Sequence, residues 1–316
     1  MARDLDLIHP ELRPVAKIMP PFSFNRSNLW LIRLLTNLQP KPKIPSNIQI
    51  DNLFIQSQDL NHKLRLRIYQ SKTIVSPAPG LVWMHGGGFI LGKPEMDDAL
   101  LIPFTQGLGI KIVSIDYRYA PEHPFPTPLD DCYTALQWVH SHAQAMGIDP
   151  NRIAVGGESA GGGLAATLVQ LAHDRQEVKP IFQMLIYPML DDRSSIRSDL
   201  ANKEWLTWSQ ASNQFGWESY LQQKCGSENL PAYAVASRRE DLSGFPPAWI
   251  SVGTLDLFYE EVVGYAQKLQ NCGVDCELVV IPGVFHGFDF FSQKIQIARD
   301  FRKSQIAALK KYLIQE

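Results

Sequence analysis

Ile153-Ala154-Val155-Gly156-Gly157-Glu158-Ser159-Ala160-Gly161-Gly162-Gly163 is the stretch that decides the fold. A short apolar strand, Ile153–Val155, runs straight into a glycine-rich turn. Behind the turn, Leu164, Leu168 and Leu171 recur at +4 and +3, one face of a helix. Gly157-x-Ser159-x-Gly161 is therefore a serine set between strand and helix. A serine on so tight a turn sits in strained backbone, and glycine on both sides removes the Cβ clashes. The turn lifts the hydroxyl above the sheet edge at a helix N-terminus, where the positive dipole end favours developing negative charge. The five-residue pattern alone also describes a structural turn in a Gly- and Ser-rich loop. The strand before it and the helix after it favour a nucleophile.

Outward from this turn, strand-like and helix-like blocks alternate. Ile48–Ile55, Leu64–Tyr69, Leu81–Met84, Lys111–Asp116, Ile181–Tyr187, Ala248–Val252 and Cys276–Ile281 read as further strands. Helical patterns occupy Met96–Gln106, Leu129–Met146, Glu260–Leu269 and a long C-terminal run from about Gln293. Repeated β-then-α units predict an α/β fold, a mostly parallel sheet covered by helices on both faces. Two segments break the rhythm. Residues 1–45 are proline-rich around an apolar helical stretch, Leu29–Leu38, and residues 191–230 carry Trp205, Trp208, Phe215, Trp217 and Tyr220. Either they are surface helices packed on the core or they form a cap over a site; the second segment's place after a central strand favours a cap.

A serine hydroxyl attacks only when a base accepts its proton. Of the eight histidines, His286 alone lies in a Gly-rich loop beyond the last strand, Gly283-Val284-Phe285-His286-Gly287-Phe288. That loop falls on the carboxyl edge of the sheet, where Ser159 also falls. His140, His142 and His173 fall on predicted helices and are expected to be solvated. Asp256, in the loop after the penultimate strand, is the candidate that orients His286, and the order Ser159, Asp256, His286 fits this fold class. Glu260 and Glu261 compete for that role but suit the start of the following helix. After the strand Leu81–Met84 comes His85-Gly86-Gly87-Gly88-Phe89, whose glycines can turn backbone N–H groups toward an oxyanion. The N–H of Ala160 is the second-loop donor, and His85 is expected to anchor its loop rather than carry protons.

The composition is that of an ordinary globular chain: 316 residues, 45% hydrophobic, 20% charged, net charge -2. It gives no electrostatic case for nucleic acid. No run reaches the roughly 18 apolar residues of a membrane span, so no membrane insertion is expected. Met1–Pro14 mixes charges with no apolar core of the signal-peptide kind. Cys132, Cys225, Cys272 and Cys276 have neither metal-ligand spacing nor His neighbours, which suggests free thiols in a reducing compartment, the cytoplasm. No metal site is expected.

Taken in order, His85-Gly86-Gly87-Gly88-Phe89, Asp116-Tyr117-Arg118-Tyr119-Ala120-Pro121-Glu122-His123-Pro124-Phe125-Pro126, Gly157-Glu158-Ser159-Ala160-Gly161-Gly162, Asp256-Leu257-Phe258-Tyr259-Glu260-Glu261 and His286-Gly287-Phe288 resemble the hormone-sensitive-lipase-like carboxylesterases of the α/β-hydrolase superfamily. The resemblance spans roughly residues 75–290 and implies an eight-stranded sheet with a helical cap. It implies a division into 1–45 (N-terminal part of the cap), 46–190 (first part of the catalytic domain), 191–230 (inserted part of the cap) and 231–316 (second part of the catalytic domain). It implies a triad of Ser159, Asp256 and His286 and an oxyanion hole from Gly86, Gly87, Gly88 and Ala160. It implies short-to-medium-chain acyl esters as substrates, no cofactor, and Asp116, Arg118 and Glu122 bracing the catalytic loops. Glu158 stands where the family usually has Asp, Tyr119 where it usually has Leu, and Leu257 where it often has Pro. Phe89, Trp208, Phe215, Leu257, Phe285 and Phe288 flank the site motifs or lie in the cap and are candidates for lining the substrate pocket. The expected partner is a small-molecule ester, with a homodimer left open. Amide, lactone or carbamate hydrolysis by the same residues is the alternative reaction, and a non-catalytic small-molecule receptor the alternative class.

Overall fold

The computed structural model describes residues 4–38, 42–201, 203–291 and 293–314. Residues 1–3 and 39–41, within the stretch 1–45 that the sequence assigns to a cap, together with 202, 292, 315 and 316, lie outside the described residues. The strands are β1 (Ile48–Gln56), β2 (Lys63–Ser71), β3 (Ala78–Met84), β4 (Lys111–Ile115), β5 (Ile148–Glu158), β6 (Gln183–Ile186), β7 (Ala248–Gly253) and β8 (Cys276–Ile281). The helices are α1 (Arg13–Ile18), α2 (Leu29–Asn37), α3 (Asp98–Leu108), α4 (Thr127–Ser141), α5 (Ala160–Arg175), α6 (Gln210–Leu221), α7 (Tyr259–Asn271), α8 (Phe288–Phe291) and α9 (Gln296–Leu313). The strands form one sheet in the order β1-β2-β4-β3-β5-β6-β7-β8. β1–β2 and β2–β4 pair antiparallel, and every pair from β4 to β8 is parallel.

Strand periodicity sorts the core into two layers. Along β3, Val82 and Met84 point into one hydrophobic cluster while Leu81 and Trp83 point into the other. The first cluster takes the apolar faces of α4, α5 and α7, and the second those of α3 and α9. β3, β4, β6 and β7 are buried along their whole length, as strands covered on both faces must be, and so read as mostly apolar runs, interrupted by Lys111, Ser114, Gln183 and Ser251. Edge strands β1 and β8 keep exposed positions.

The expected strands are all present, with differences at their ends. β5 starts at Ile148 rather than Ile153, because the turn-forming Asp149-Pro150-Asn151 hid its first half. α4 ends at Ser141 rather than Met146, giving way to a turn that closes on Gly147 at φ 63. α5 begins at Ala160, so Gly161-Gly162-Gly163 lie inside a helix despite their low propensity. Packing overrides propensity there: a Cβ on Gly163 would stand 2.2 Å from the Met189 carbonyl oxygen. Among the described residues no helix is long and apolar enough to cross a membrane.

Candidate active site

Ser159 sits between β5 and α5 at φ 54, ψ -122, a backbone conformation few non-glycine residues adopt. The turn is held by Ser159 N–H donating to Ile186 O at 2.9 Å and by Gly163 and Met189 N–H donating to Ser159 O. Neither flanking glycine has room for a side chain. A Cβ on Gly157 would meet the Gly161 backbone at 2.4 Å, and one on Gly161 would meet Met84 O at 2.2 Å and His85 O at 2.3 Å. The serine turn and the loop after β3 are thus packed backbone to backbone.

Asp256 follows β7 and His286 follows β8, both at the carboxyl edge where β5 delivers Ser159. His286 Nε2 is 2.9 Å from Ser159 Oγ, and His286 Nδ1 is 2.8 Å from Asp256 Oδ2. With Asp256 accepting from Nδ1–H, the lone pair of Nε2 faces the serine hydroxyl, the tautomer a general base requires. Asp256 Oδ1 accepts from Phe258 N–H at 2.9 Å, which fixes the carboxylate. All three side chains are buried. The imidazole makes T-shaped contacts with Tyr187 and Phe258, at 4.9 and 5.0 Å between ring centroids. Thr207 Oγ1 donates to His286 O at 2.6 Å, a contact from the inserted segment that no sequence motif signals. The competing acids are engaged elsewhere: Glu260 pairs with Arg197, and Glu261 accepts from Leu190 N–H, Asp191 N–H and the Ser194 hydroxyl.

The glycine loop after β3 is anchored by His85, as its sequence position suggests. His85 is fully buried, stacks on Tyr117 at 4.2 Å and places Nδ1 2.7 Å from Gly86 O. Tyr117 Oη donates to His85 O at 2.7 Å. Burial pushes the imidazole pKa down, so the ring is neutral and Nδ1–H donates. Among the described residues, the N–H groups of Gly87, Gly88 and Ala160 donate to no protein acceptor. Gly88, at φ 61, lies under the Trp208 indole: a Cβ there would stand 2.0 Å from the ring.

The remaining sequence candidates divide. Trp208 covers Gly88 and donates from Nε1 to Asn213 Oδ1, while Leu257 is buried beside Asp256 and Phe215 packs half-buried against the first core cluster. Phe285 and Phe288 are 1% exposed and belong to the second core cluster, Phe288 lying 5.2 Å from the Phe301 ring. These two are core side chains, since the tight turn that aims His286 at Ser159 aims its neighbours into the sheet face. Phe89 is also enclosed, stacked on Tyr220 at 4.3 Å and tilted against Trp217 at 4.9 Å. Of the solvated histidines expected on helices, only His142 is exposed; His140 and His173 are half-buried, the latter against Phe245.

Asp116, Arg118 and Glu122, which the resemblance implies brace the catalytic loops, have separate sets of partners. Asp116 accepts from Arg65, and Arg118 forks onto Asp131 and reaches Asp59. Glu122 instead holds α2, accepting two bonds from Arg33, which also donates to Ile90 O and Ala120 O.

Beneath Ser159 lies a buried acidic network invisible in the sequence. Glu158 hydrogen-bonds the Asp97 carboxyl, and Asp97 Oδ2 accepts from Trp83 Nε1 at 2.6 Å. Tyr187 Oη lies 3.1 Å from both Glu158 Oε2 and Asp289 Oδ1. Two carboxyls in contact need a shared proton, so burial first and the neighbouring Glu158 second push Asp97 well above the carboxylate range. Burial, then the Asp289 charge, raises Glu158 to about 6. A carboxyl whose folded-state pKa is raised contributes stability below its unfolded value and loses it as pH climbs through the folded value. Glu158→Gln is therefore expected to gain in melting temperature relative to the parent as pH rises from 4.5 through about 6. Parallel melting curves for parent and variant across that window would put the titrating proton on another group.

The sequence profile of the α/β-hydrolase fold family matches residues 81–290. Carboxylesterase NlhH of Mycobacterium tuberculosis is 32% identical over 311 residues, covering 96% of this chain and 97% of its own. Ethyl acetate hydrolase of Pseudomonas putida is 32% identical over 272 residues, 84% of this chain and 83% of its own. Among solved structures, a bacterial heroin esterase superposes with a TM-score of 0.91 at 32% identity, covering 98% of this chain and 99% of that one. Esterase LipW of Mycobacterium marinum superposes with a TM-score of 0.88 at 30% identity, over 99% and 98%. Similar along nearly its whole length in both sequence and structure, the chain belongs to the α/β-hydrolase fold family, within its carboxylesterase branch.

Proposed function

We propose that Ser159, His286 and Asp256 are the catalytic triad of a serine carboxylesterase acting on short-to-medium-chain acyl esters. The observation that carries this is the unbroken hydrogen-bonded series from Asp256 through His286 to Ser159 Oγ. Nε2 of His286 takes the serine proton as Oγ attacks the ester carbonyl carbon, and Asp256 stabilises the imidazolium formed. The carbonyl oxygen becomes an oxyanion that accepts from the free N–H groups of Gly87, Gly88 and Ala160, each worth about 3 kcal/mol of barrier. As the tetrahedral species collapses, Nε2–H gives its proton to the departing alkoxide. Water then attacks the acyl-serine, His286 again takes and returns the proton, and the acid leaves.

Substrate size follows from what covers the site. The two irregular segments touch: Ser23 Oγ is 2.7 Å from Ser209 Oγ, Phe24 N–H donates to Ser212 Oγ, and the Phe24 and Trp208 rings are 5.2 Å apart. They act as one cap, with Trp208 as its floor over Gly88. A cap that lays the Trp208 indole over Gly88 suits small esters, and the resemblance to an ethyl acetate hydrolase points the same way. Across p-nitrophenyl esters from acetate to palmitate, kcat/KM is expected to peak at short or medium chains and fall at least roughly tenfold by palmitate, because the lost contacts of an unfitted chain amount to more than about 1.4 kcal/mol. A maximum on emulsified palmitate would make the protein a lipase instead. The four cysteines are free, which fits action in the reducing cytoplasm.

A further inference from the structure

Helix α2 is turned opposite to an ordinary surface helix. Its protein-facing positions are Leu29, Ile32, Arg33 and Thr36, one helical face by spacing. Its outward row is Trp30, Leu31, Leu34, Leu35 and, just past its end, Leu38, all large, apolar and 42 to 70% exposed. The orientation is fixed rather than loose. Leu29 is buried in the core, and Arg33 is locked by Glu122 and by the carbonyls of Ile90 and Ala120. Lys93 Nζ donates to Asn37 O and Oδ1 at the helix C-terminus. Ile18, Phe22 and Ile44, on either side of α2 in the chain, are exposed as well. An apolar row of this extent is a docking surface.

Charge identifies what docks. From Arg13 to Ile50 the sequence holds six cations (Arg13, Lys17, Arg26, Arg33, Lys41, Lys43) and no carboxylate side chain, in a chain of net charge -2. Arg13 and Arg33 are paired, whereas Lys17, Arg26 and Lys43 are exposed and form no ion pair among the described residues. A second copy placed on this face would set like charges against each other. A Trp- and Leu-lined row whose flanking sequence, Arg13 to Ile50, carries cations and no carboxylate matches a lipid surface with anionic headgroups, on which such a helix lies flat. We propose that α2 and its flanks dock the protein on anionic lipid surfaces, without insertion of a spanning helix. Because α2 contacts the loop that follows Gly88, docking turns the glycine-loop side of the molecule toward the lipid. The inference stands apart from the reaction assigned to Ser159, and its test involves no turnover.

The test is co-sedimentation of the full chain with vesicles of phosphatidylcholine alone or mixed with phosphatidylglycerol. The parent is expected to partition roughly tenfold or more strongly onto the mixed vesicles, an advantage that shrinks as salt is raised to about 0.5 M. Leu34→Ser with Leu35→Ser should lower that partition roughly tenfold or more, since two leucines lose their apolar contact. Lys17→Glu with Arg26→Glu and Lys43→Glu should abolish the preference for the mixed vesicles. Melting temperatures close to the parent's establish that both variants fold. A parent that stays in solution with both vesicles, or binds both equally, overturns the proposal. So does a parent dimer that the leucine variant splits, which would assign the face to a second copy.

Discussion

Ser159→Ala is expected to lower kcat/KM for p-nitrophenyl butyrate by on the order of 10⁶-fold while leaving the melting temperature nearly unchanged. Alanine keeps the Cβ, so the elbow at φ 54 experiences the same sterics. What disappears is the hydroxyl 2.9 Å from His286 Nε2, the nucleophile that the base activates. His286→Ala should cost a similar factor, and the double variant little more, because the two groups act in one step. Steady-state kinetics on the three variants decide this. Ser159→Ala activity above a tenth of the parent's would remove Ser159 from the mechanism.

Gly161→Ala is expected to be strongly destabilising, although it adds only one methyl group. The new methyl would stand 2.2 Å from Met84 O and 2.3 Å from His85 O, both backbone atoms at the root of the glycine loop. Neither can rotate away, so β3 and the serine turn must separate. The loss is about 3 kcal/mol or more of stability, with displacement of the N–H groups of Gly87 and Gly88. Gly264→Ala is the control of opposite sign. Gly264 is exposed within α7, and a methyl added there would have nothing within 4 Å, so the change should add about 0.5–1 kcal/mol. Urea midpoints for the two variants should therefore move in opposite directions. A Gly161→Ala midpoint within error of the parent would mean that the backbone contact is not as tight as described.

Much of this was legible because it is local. Gly157 and Gly161 announce a turn with no space for side chains, and the apolar runs at 81–84 and 153–155 announce strands buried on both faces. The places of Asp256 and His286 just beyond predicted strands put them on the same sheet edge as Ser159. What was not legible depends on contacts distant in sequence or on the direction of a single turn. Asp97, Glu158, Tyr187 and Asp289 come from four separate stretches, and nothing in their spacing marks them as one network. Phe285 and Phe288 neighbour His286 in sequence, yet the turn that aims the imidazole outward sends both phenyl rings into the core. The leucines of α2 mark a helix correctly, but which way it faces is set by Arg33 meeting Glu122, 89 residues away.

The central claim is an activated Ser159, and covalent labelling tests it without any choice of substrate. A fluorophosphonate phosphonylates a serine whose proton is taken by a neighbouring base, and spares an ordinary hydroxyl. Peptide mass spectrometry after labelling of the intact protein should find one adduct, on Ser159, formed in the parent and lost in His286→Ala. A parent that stays unlabelled, or carries the adduct on another residue, would contradict the account.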